Sequence, residues 1–190
     1  MGRSAIGDGG HSALAHLGLE QGREFVHEAI ADSRLLSLIK SLMHQEAAST
    51  LTPSLHRTLH LYADAILKRF ANAALPHRLD QIAIDGSQKI PQRWLNTLRI
   101  HQEAGRICPA ILTALASWIV FVKGGDKVVD DPLAAEPAER WSRTGVEGIV
   151  NALFGAQGLF ANHWVASDRE QAFLDALVAD RLQRRKSGYE

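Results

Sequence analysis

The sequence predicts an all-α, multi-helix globular domain. Apolar residues recur at helical spacing along most of the chain, and strands do not alternate with helices. No glycine-rich phosphate loop of the GxGxxG or P-loop kind is present. Apolar residues make up 46% of the 190 residues, so the chain can fill a core without disulfides or a metal.

The N-terminal region is predicted to be a glycine-rich loop that leads into a helix. Gly7, Gly9 and Gly10 precede His11, and the apolar helix is expected over residues 13–19. His11 would then lie just outside the helix N-terminus, exposed on a flexible hinge. The alternative is a frayed terminus with an incidental histidine.

Three helices are expected between the N-terminal region and residue 70. The third has a clear start signal at residues 52–53, where a threonine cap precedes a proline. His56, His60 and Asp64 lie four residues apart on one stripe of this helix. Such spacing can place two histidines on one metal, but the glutamate and third ligand of a zinc hydrolase are missing. We therefore interpret these residues as a polar stripe beside the core face of the helix, and no metal site is predicted.

The densest run of polar groups lies at residues 76–93. Residues 82–84 are expected to be buried and residues 85–87 to form a turn, with Pro91 in the first turn of the next helix. A lysine near a helix N-terminus does not complement the helix dipole. Lys89 therefore either meets an oxygen-rich ligand or is a solvated lysine that tolerates its place.

In the C-terminal half, helices are predicted over residues 106–122 and 146–154. A last helix follows and ends in a basic cluster at 181–186. Residues 128–132 are expected to be extended, with Asp131 capping a helix that opens at Pro132. Cys108 precedes an apolar run, which indicates a buried small hydrophobe rather than a nucleophile.

Composition limits the classes of partner. The 21 basic and 21 acidic residues balance, which argues against a dedicated nucleic-acid binder. No apolar run reaches the about 18 residues of a membrane span, and no signal peptide is recognised at the N-terminus. We therefore expect no membrane association and a cytoplasmic location.

Four stretches carry a family resemblance: GGHSALAHLG at 9–18, RFANAALPHRLDQIAIDGSQKIPQRWLNTLR at 69–99, DDPLAAEPAERW at 130–141 and LFGAQGLFAN at 153–162. They resemble the C-terminal domain of the long-chain mannitol dehydrogenase family. The DGSQKIPQR sequence is more similar to the hexuronate reductase branch than to the mannitol-using branch. The resemblance covers essentially the whole chain. Residues 1–190 are thus expected to form one C-terminal helical domain whose N-terminal Rossmann domain is absent.

The resemblance implies a function. In the family, a Rossmann domain binds NAD or NADP and the helical domain holds a hexuronate or polyol. Hydride then passes between the cofactor and a secondary alcohol or ketone. No cofactor is expected on this chain alone.

The resemblance also assigns the catalytic positions. His11 matches the family histidine that holds the reacting oxygen. Arg3 stands at the position of the acid/base lysine and Asp8 at that of an asparagine, and both depart from the pattern. Arginine stays protonated, and ionised aspartate only accepts hydrogen bonds. We therefore expect the isolated chain not to turn over substrate.

Further positions are implied for substrate binding. Lys89 matches a family lysine that contacts substrate oxygens, and Gln81 stands where the mannitol-using branch has an arginine. A uronate carboxylate favours a bidentate arginine, for which Arg78 and Arg93 are candidates. Each is equally compatible with a surface or packing role.

Other functions remain open at this point. A domain without its Rossmann partner would expose a formerly covered apolar face, which favours self-association or an interaction module without catalysis. A helical nucleic-acid binder is the third reading, which the charge balance disfavours.

Overall fold

The computed structural model describes residues 2–51, 53–124, 131 and 134–187, without the side chains of residues 2–5 and 53. Helices make up most of this part of the chain, so the predicted all-α class is confirmed. Within it, β pairing is limited to an isolated antiparallel bridge between Phe25 and Arg78. No helix of the described residues has the length and apolarity needed to cross a membrane.

The helices follow one another with short connections. In chain order they are α1 (Gly2–Glu20), α2 (Val26–Ala31), α3 (Ser33–Lys40), α4 (His56–Phe70), α5 (Leu79–Ala83), α6 (Gly86–Ile90), α7 (Asn96–Glu103), α8 (Pro109–Val122), α9 (Ala135–Phe154) and α10 (Asp168–Lys186). Two π-helical segments extend these helices: the first π turn (Ser41–Ala47) follows α3, and the second π turn (Pro91–Leu95) joins α6 to α7. Short 3-10 turns occupy Ala48–Thr50 and Pro53–Leu55.

Helix α1 lies at the centre and packs against α2, α3, α4, α5, α8 and both π turns. The predicted glycine-rich loop is therefore wrong, because these glycines belong to the helix. A side chain at Gly10 would come within 2.9 Å of Met43 Sδ, and one at Gly18 within 2.7 Å of Leu79 Cδ1. Close packing and burial thus outweigh the about 1 kcal/mol that each glycine costs in a helix. His11 consequently lies inside α1, partly buried, and not on an exposed hinge.

Helix α8 is the apolar core helix and is buried on nearly every side. It begins at Pro109 rather than at residue 106, and a remote carboxylate caps it: Glu46 accepts hydrogen bonds from the backbone nitrogens of Ala110 and Ile111, each at 2.8 Å. Cys108, just before it, is fully buried, and burial raises the pKa of its thiol to about 12. The prediction of a small hydrophobe at Cys108 is confirmed.

The region 82–103 differs from its prediction. Ala83 is buried, whereas Ile82 and Ile84 are only partly so. Asp85 adopts a left-handed conformation, with φ of 60°, and turns the chain into α6 without capping it through its side chain. The helix thus starts at Gly86, and Pro91 falls inside a continuous helical run, where the widened second π turn accommodates it.

The C-terminal helices agree with the prediction in part. Helix α9 consists of two helical parts joined at a kink at Gly145, where φ is 66°, and the part after the kink covers the helix predicted over residues 146–154. The predicted extended piece and the helix start at Pro132 lie outside the described residues, although the buried Asp131 accepts a 2.7 Å hydrogen bond from the Ser87 backbone nitrogen. Helix α10 starts with a capping box at Ser167 and ends in the expected basic cluster. Its Arg181 pairs with Glu20 at 3.1 Å and so ties α10 to α1.

Two glycines of α1 provide a matched test of close packing. At Gly18, an added methyl group would meet Leu79 Cδ1 at 2.7 Å and Ala29 Cβ at 2.9 Å, whereas at Gly9 the nearest atoms are 3.5 Å away. We expect Gly18→Ala to lower the free energy of unfolding by about 1–3 kcal/mol. Gly9→Ala should leave it unchanged or raise it by up to about 1 kcal/mol. Urea denaturation measures both variants, and an equal effect of the two would contradict the packing role.

His16 makes the stability depend on pH. Its side chain is 2% exposed, and burial, followed by Lys89 and Arg93, lowers its pKa from 6.5 to about 3. The unfolded chain therefore takes up this proton below pH 6.5 while the folded chain does not, so stability falls as the pH drops from about 6.5 to about 3. At pH 5 the expected loss from His16 is about 2 kcal/mol relative to neutral pH.

The variant His16→Phe should reduce this pH dependence of the free energy of unfolding without abolishing it, because the pKa of His11 is also lowered, to about 4. Substitution of the exposed His163 by asparagine should leave the pH dependence unchanged. Denaturation at several pH values measures the slope, and an unchanged slope in His16→Phe would contradict the role of His16.

Candidate functional site

His11, on α1, packs against the end of α4. Its ring stacks on Phe70 with centroids 4.9 Å apart and planes at 18°. The ring of His77 stands edge-on to it at 6.2 Å and 86°. The Nε2 atom of His11 is one of nine buried side-chain nitrogen or oxygen atoms that have no hydrogen-bond partner among the described residues. This nitrogen is therefore available to a ligand oxygen.

The electrostatic surroundings keep His11 neutral. Burial is the main reason why its pKa falls from 6.5 to about 4, and the positive charges of His77, Arg93 and Arg69 lower it further. Asp8 acts in the opposite direction. A neutral imidazole has one N–H donor and one acceptor nitrogen, so His11 is able to bind a hydroxyl or carbonyl oxygen at neutral pH.

Arg93 reaches α1 from the second π turn. Its Nη1 donates a hydrogen bond to Ser12 Oγ, next to His11, and the neighbouring Trp94 Nε1 donates to the carbonyl of Gly9 at 3.2 Å. Burial lowers the pKa of Arg93, and Asp8 partly offsets this effect. In the part of the chain that the structure describes, Arg93 has no salt bridge. Its remaining donors therefore suit an anionic or oxygen-rich ligand.

Lys89 lies one helical turn before Arg93. Its Nζ donates a 2.5 Å hydrogen bond to the carbonyl of Ile84, just before α6 begins. This contact explains how a lysine is held near a helix N-terminus. Lys89 and Arg93 both lower the pKa of His16, which lies five residues after His11. Lys89 and Arg93 thus both lie near His16, and the charge of Arg93 also acts on His11.

The other candidate positions are placed differently. Arg78 is exposed and pairs with Glu24 Oε1 at 2.5 Å and with Asp80 Oδ2 at 2.7 Å. Gln81 is exposed on α5. No hydrogen bond, ion pair or ring contact among the described residues joins Arg78 or Gln81 to His11 or Lys89.

The two positions that depart from the family pattern also lie on α1. Arg3 is in its first turn, but the side chain of Arg3 lies outside the described residues. Asp8 is exposed, three residues before His11, and its charge acts on both His11 and Arg93.

The sequence prediction missed three residues near His11: Phe70 and His77, whose rings contact it, and Ser12, which accepts a hydrogen bond from Arg93. No local signal shows that His11 stacks on Phe70. His77 approaches only because the chain reverses over residues 71–78. These contacts are long-range, so a single sequence does not contain them in readable form.

The histidine stripe of α4 does not form a metal site. His44 Nδ1 lies 2.7 Å from His60 Nδ1, and His44 Nε2 lies 3.1 Å from Asp64 Oδ1. His56 Nε2 instead bonds the carbonyl of Leu51. Within the described ranges, no three His, Cys, Asp or Glu side chains are grouped in a way that would hold a metal ion.

Comparison with known proteins gives the sequence relationships. Residues 5–171 match the family model of the mannitol dehydrogenase C-terminal domain. The chain is 35% identical over 160 residues to D-mannonate oxidoreductase of Escherichia coli (strain K12), covering 82% of this chain and 33% of that protein. It is 30% identical over 128 residues to polyol:NADP oxidoreductase of Gluconobacter oxydans (strain 621H), covering 67% and 26%. The chain thus spans about a third of the length of these curated relatives or less.

Solved structures support the same fold. Pseudomonas fluorescens mannitol 2-dehydrogenase, solved as a ternary complex with NAD and D-mannitol, matches with a TM-score of 0.81 at 24% identity, over 98% of this chain and 38% of that one. A D-sorbitol dehydrogenase in substrate-free form matches with a TM-score of 0.76 at 26% identity, over 98% and 38%. Together with the sequence match, these findings show that the chain belongs to the mannitol dehydrogenase C-terminal domain family.

Proposed function

We propose that this chain is the substrate-holding domain of an NAD(P)-dependent oxidoreductase that acts on a secondary alcohol or ketone of a hexuronate or polyol. Membership of the family supports the proposal, as do the relatives named D-mannonate oxidoreductase and polyol:NADP oxidoreductase. The single observation that carries it is the Nε2 atom of His11, which is buried without a hydrogen-bond partner among the described residues and is acted on by the charge of Arg93.

The residues have distinct roles in this proposal. The neutral His11 donates a hydrogen bond to the reacting oxygen and stabilises the negative charge that develops there. Arg93 and Lys89 hold further oxygens and fix the orientation of the substrate. Bound NAD or NADP, held mainly by a Rossmann domain, supplies the hydride acceptor or donor. Phe70 stacks on one face of the His11 ring and keeps water away from that face.

A hexuronate is the preferred substrate class within this proposal. The groups that act on His11 include two guanidinium groups, Arg93 and Arg69, and one opposing anion, Asp8. Arg93 has no carboxylate partner in the described ranges, whereas Arg78 already contacts Glu24 and Asp80. A carboxylate of the substrate is therefore expected at Arg93 and not at Arg78.

Self-association is not proposed. The described residues expose five large apolar side chains, Leu55, Leu61, Leu75, Val146 and Val165. Exposed apolar residues of this kind are normal on monomeric proteins and do not by themselves indicate an interface.

Substrate binding by the chain tests the role of Arg93. We expect D-mannonate to shift the NMR signals of His11 and Lys89. Arg93→Gln should weaken the binding roughly tenfold or more, because a hydrogen bond to a charged group is lost. Arg78→Gln is the matched control and should bind as the unmodified chain does. Equal weakening by the two variants would contradict the assignment of Arg93, and an absence of any binding would contradict the proposed function.

Catalysis should require changes at positions 3 and 8. Joined to the cofactor domain of a relative, the chain with Arg3→Lys and Asp8→Asn should reduce NAD(P)⁺ in the presence of D-mannonate, because lysine is able to act as a base near neutral pH. The isolated chain should show no turnover. Absorbance of the reduced cofactor measures the activity. If the joined protein oxidised or reduced no hexuronate and no polyol, the proposed function would be wrong.

A further inference from the structure

We propose that Ser12 is a positioning residue of the candidate site. Its hydroxyl fixes the guanidinium group of Arg93, whose remaining N–H groups then hold the carboxylate of a sugar acid. The inference rests on the proposed function and deepens it, because it names the contact through which the site would prefer a carboxylate to a neutral hydroxyl group.

Ser12 lies on α1, directly after His11, and it is 2% exposed. A buried hydroxyl is costly unless it is hydrogen-bonded. Its partner comes from far along the chain, since Nη1 of Arg93 donates a hydrogen bond to Oγ of Ser12 across a separation of 81 residues. Ser12 is therefore the point at which α1 holds the tip of the Arg93 side chain.

The base of the same side chain is also held. Trp94, the next residue, is fully buried and donates a 3.2 Å hydrogen bond from Nε1 to the carbonyl of Gly9. A methyl group added at Gly9 would lie 3.5 Å from the carbonyl oxygen of Arg93, so the second π turn runs close against α1 here. With its base and its tip both next to one helix, the long side chain is ordered by folding, and a ligand does not have to order it on binding.

The hydroxyl of Ser12 fixes the guanidinium without cancelling its charge. Arg181 shows the alternative, because it is also buried but pairs with the carboxylate of Glu20 at 3.1 Å. Arg93 has no such ion pair in the described ranges, and the anion whose charge acts on it is Asp8, one turn before Ser12 on α1. A neutral acceptor at the tip thus leaves the positive charge available to an anionic ligand.

The donors that remain on Arg93 suit a carboxylate. A guanidinium has five N–H groups in a planar fork, and among the described residues only Nη1 of Arg93 has an acceptor. A carboxylate accepts two parallel hydrogen bonds from such a fork, whereas a sugar hydroxyl offers one uncharged oxygen. A fixed fork therefore strengthens the binding of a sugar acid more than that of a polyol.

Binding of D-mannonate and D-mannitol to the whole chain, followed by NMR, tests the role of Ser12. In Ser12→Ala the guanidinium is no longer held, so D-mannonate should bind about three- to tenfold more weakly, as expected when a long side chain has to be ordered on binding. The affinity for D-mannitol should change by less than about twofold, because D-mannitol has no carboxylate. The ratio of the two affinities is the readout, since general damage to the fold would weaken both sugars alike.

Ser117→Ala is the matched control. Ser117 is also 2% exposed, and its Oγ donates a 2.8 Å hydrogen bond to Glu20 at the end of α1. This variant loses one hydrogen bond of a buried serine, as Ser12→Ala does, so both should lower the free energy of unfolding in urea. Only Ser12→Ala should change the ratio of the two affinities.

Two further measurements isolate the contact itself. In Arg93→Gln, which has no guanidinium, the additional change Ser12→Ala should not weaken D-mannonate further, because the two residues act as a unit. In the ligand-free chain, NMR of the guanidinium nitrogens measures how fast the Arg93 group rotates about its terminal C–N bonds. This rotation should be faster in Ser12→Ala than in the unmodified chain, and it should be unchanged in Ser117→Ala.

The outcomes separate this inference from the proposed function. If D-mannonate binds but Ser12→Ala leaves the ratio of the two affinities unchanged, or weakens D-mannonate just as much in Arg93→Gln, the role of Ser12 is wrong and the proposed function stands. Equal rotation rates in Ser12→Ala and the unmodified chain lead to the same conclusion. If neither sugar binds to the unmodified chain, the proposed function is wrong, and the role of Ser12 is wrong with it.

Discussion

The close packing of helix α1 against its neighbours is the constraint on which the rest of the structure depends. Gly10 and Gly18 leave room for Met43 and Leu79 at distances that no larger side chain permits. Their burial allows α1 to lie at the centre, in contact with α4 on one side and with α8 on another. His11 therefore meets Phe70, and His16 meets Phe121 with ring centroids 5.1 Å apart. The candidate site is a consequence of this packing rather than an addition to it.

Buried charges organise the remainder of the core. Glu46 caps the first turn of α8 from a distant part of the chain, although burial raises the pKa of this carboxyl. Glu20 pairs with Arg181 and accepts a 2.8 Å hydrogen bond from Ser117 Oγ, which joins α1, α8 and α10. A buried carboxylate that lost its partners would be costly. These contacts thus fix the relative positions of the helices that carry the site.

The sequence predicts best those features that depend on nearby residues. Helical spacing identified α4 and α10, and apolar composition identified α8 as a core helix. The threonine cap predicted at residue 52 lies outside the described residues, and α4 begins at His56 after a 3-10 turn. The glycines of α1 led to the wrong prediction of a loop, because local propensity disfavours a helix that tertiary packing produces. Pro91 led to the wrong prediction of a helix start, since a π turn accommodates it inside a helix. The contact between His77 and His11 depends on a chain reversal, and no periodic pattern encodes such a contact. The family resemblance selected His11, Lys89 and Arg93 as site residues, and of these Arg93 contacts α1 through Ser12 and acts on the pKa of His11.

The second π turn has a consequence for how this region tolerates changes in length. A π turn contains about one residue more than a regular α-helical turn, and each residue of an α-helix rotates the chain by about 100°. Removal of one residue between Pro91 and Leu95 would restore a regular helical turn, and the side chains on either side of it would keep their directions relative to one another, because the lost residue is the extra one that the π turn accommodates. Trp94, Leu95 and Leu98, which are all fully buried, depend on this register. A single-residue deletion within α7 would instead rotate the side chains beyond it by about 100°, while substitutions at exposed positions such as Gln92 preserve the register.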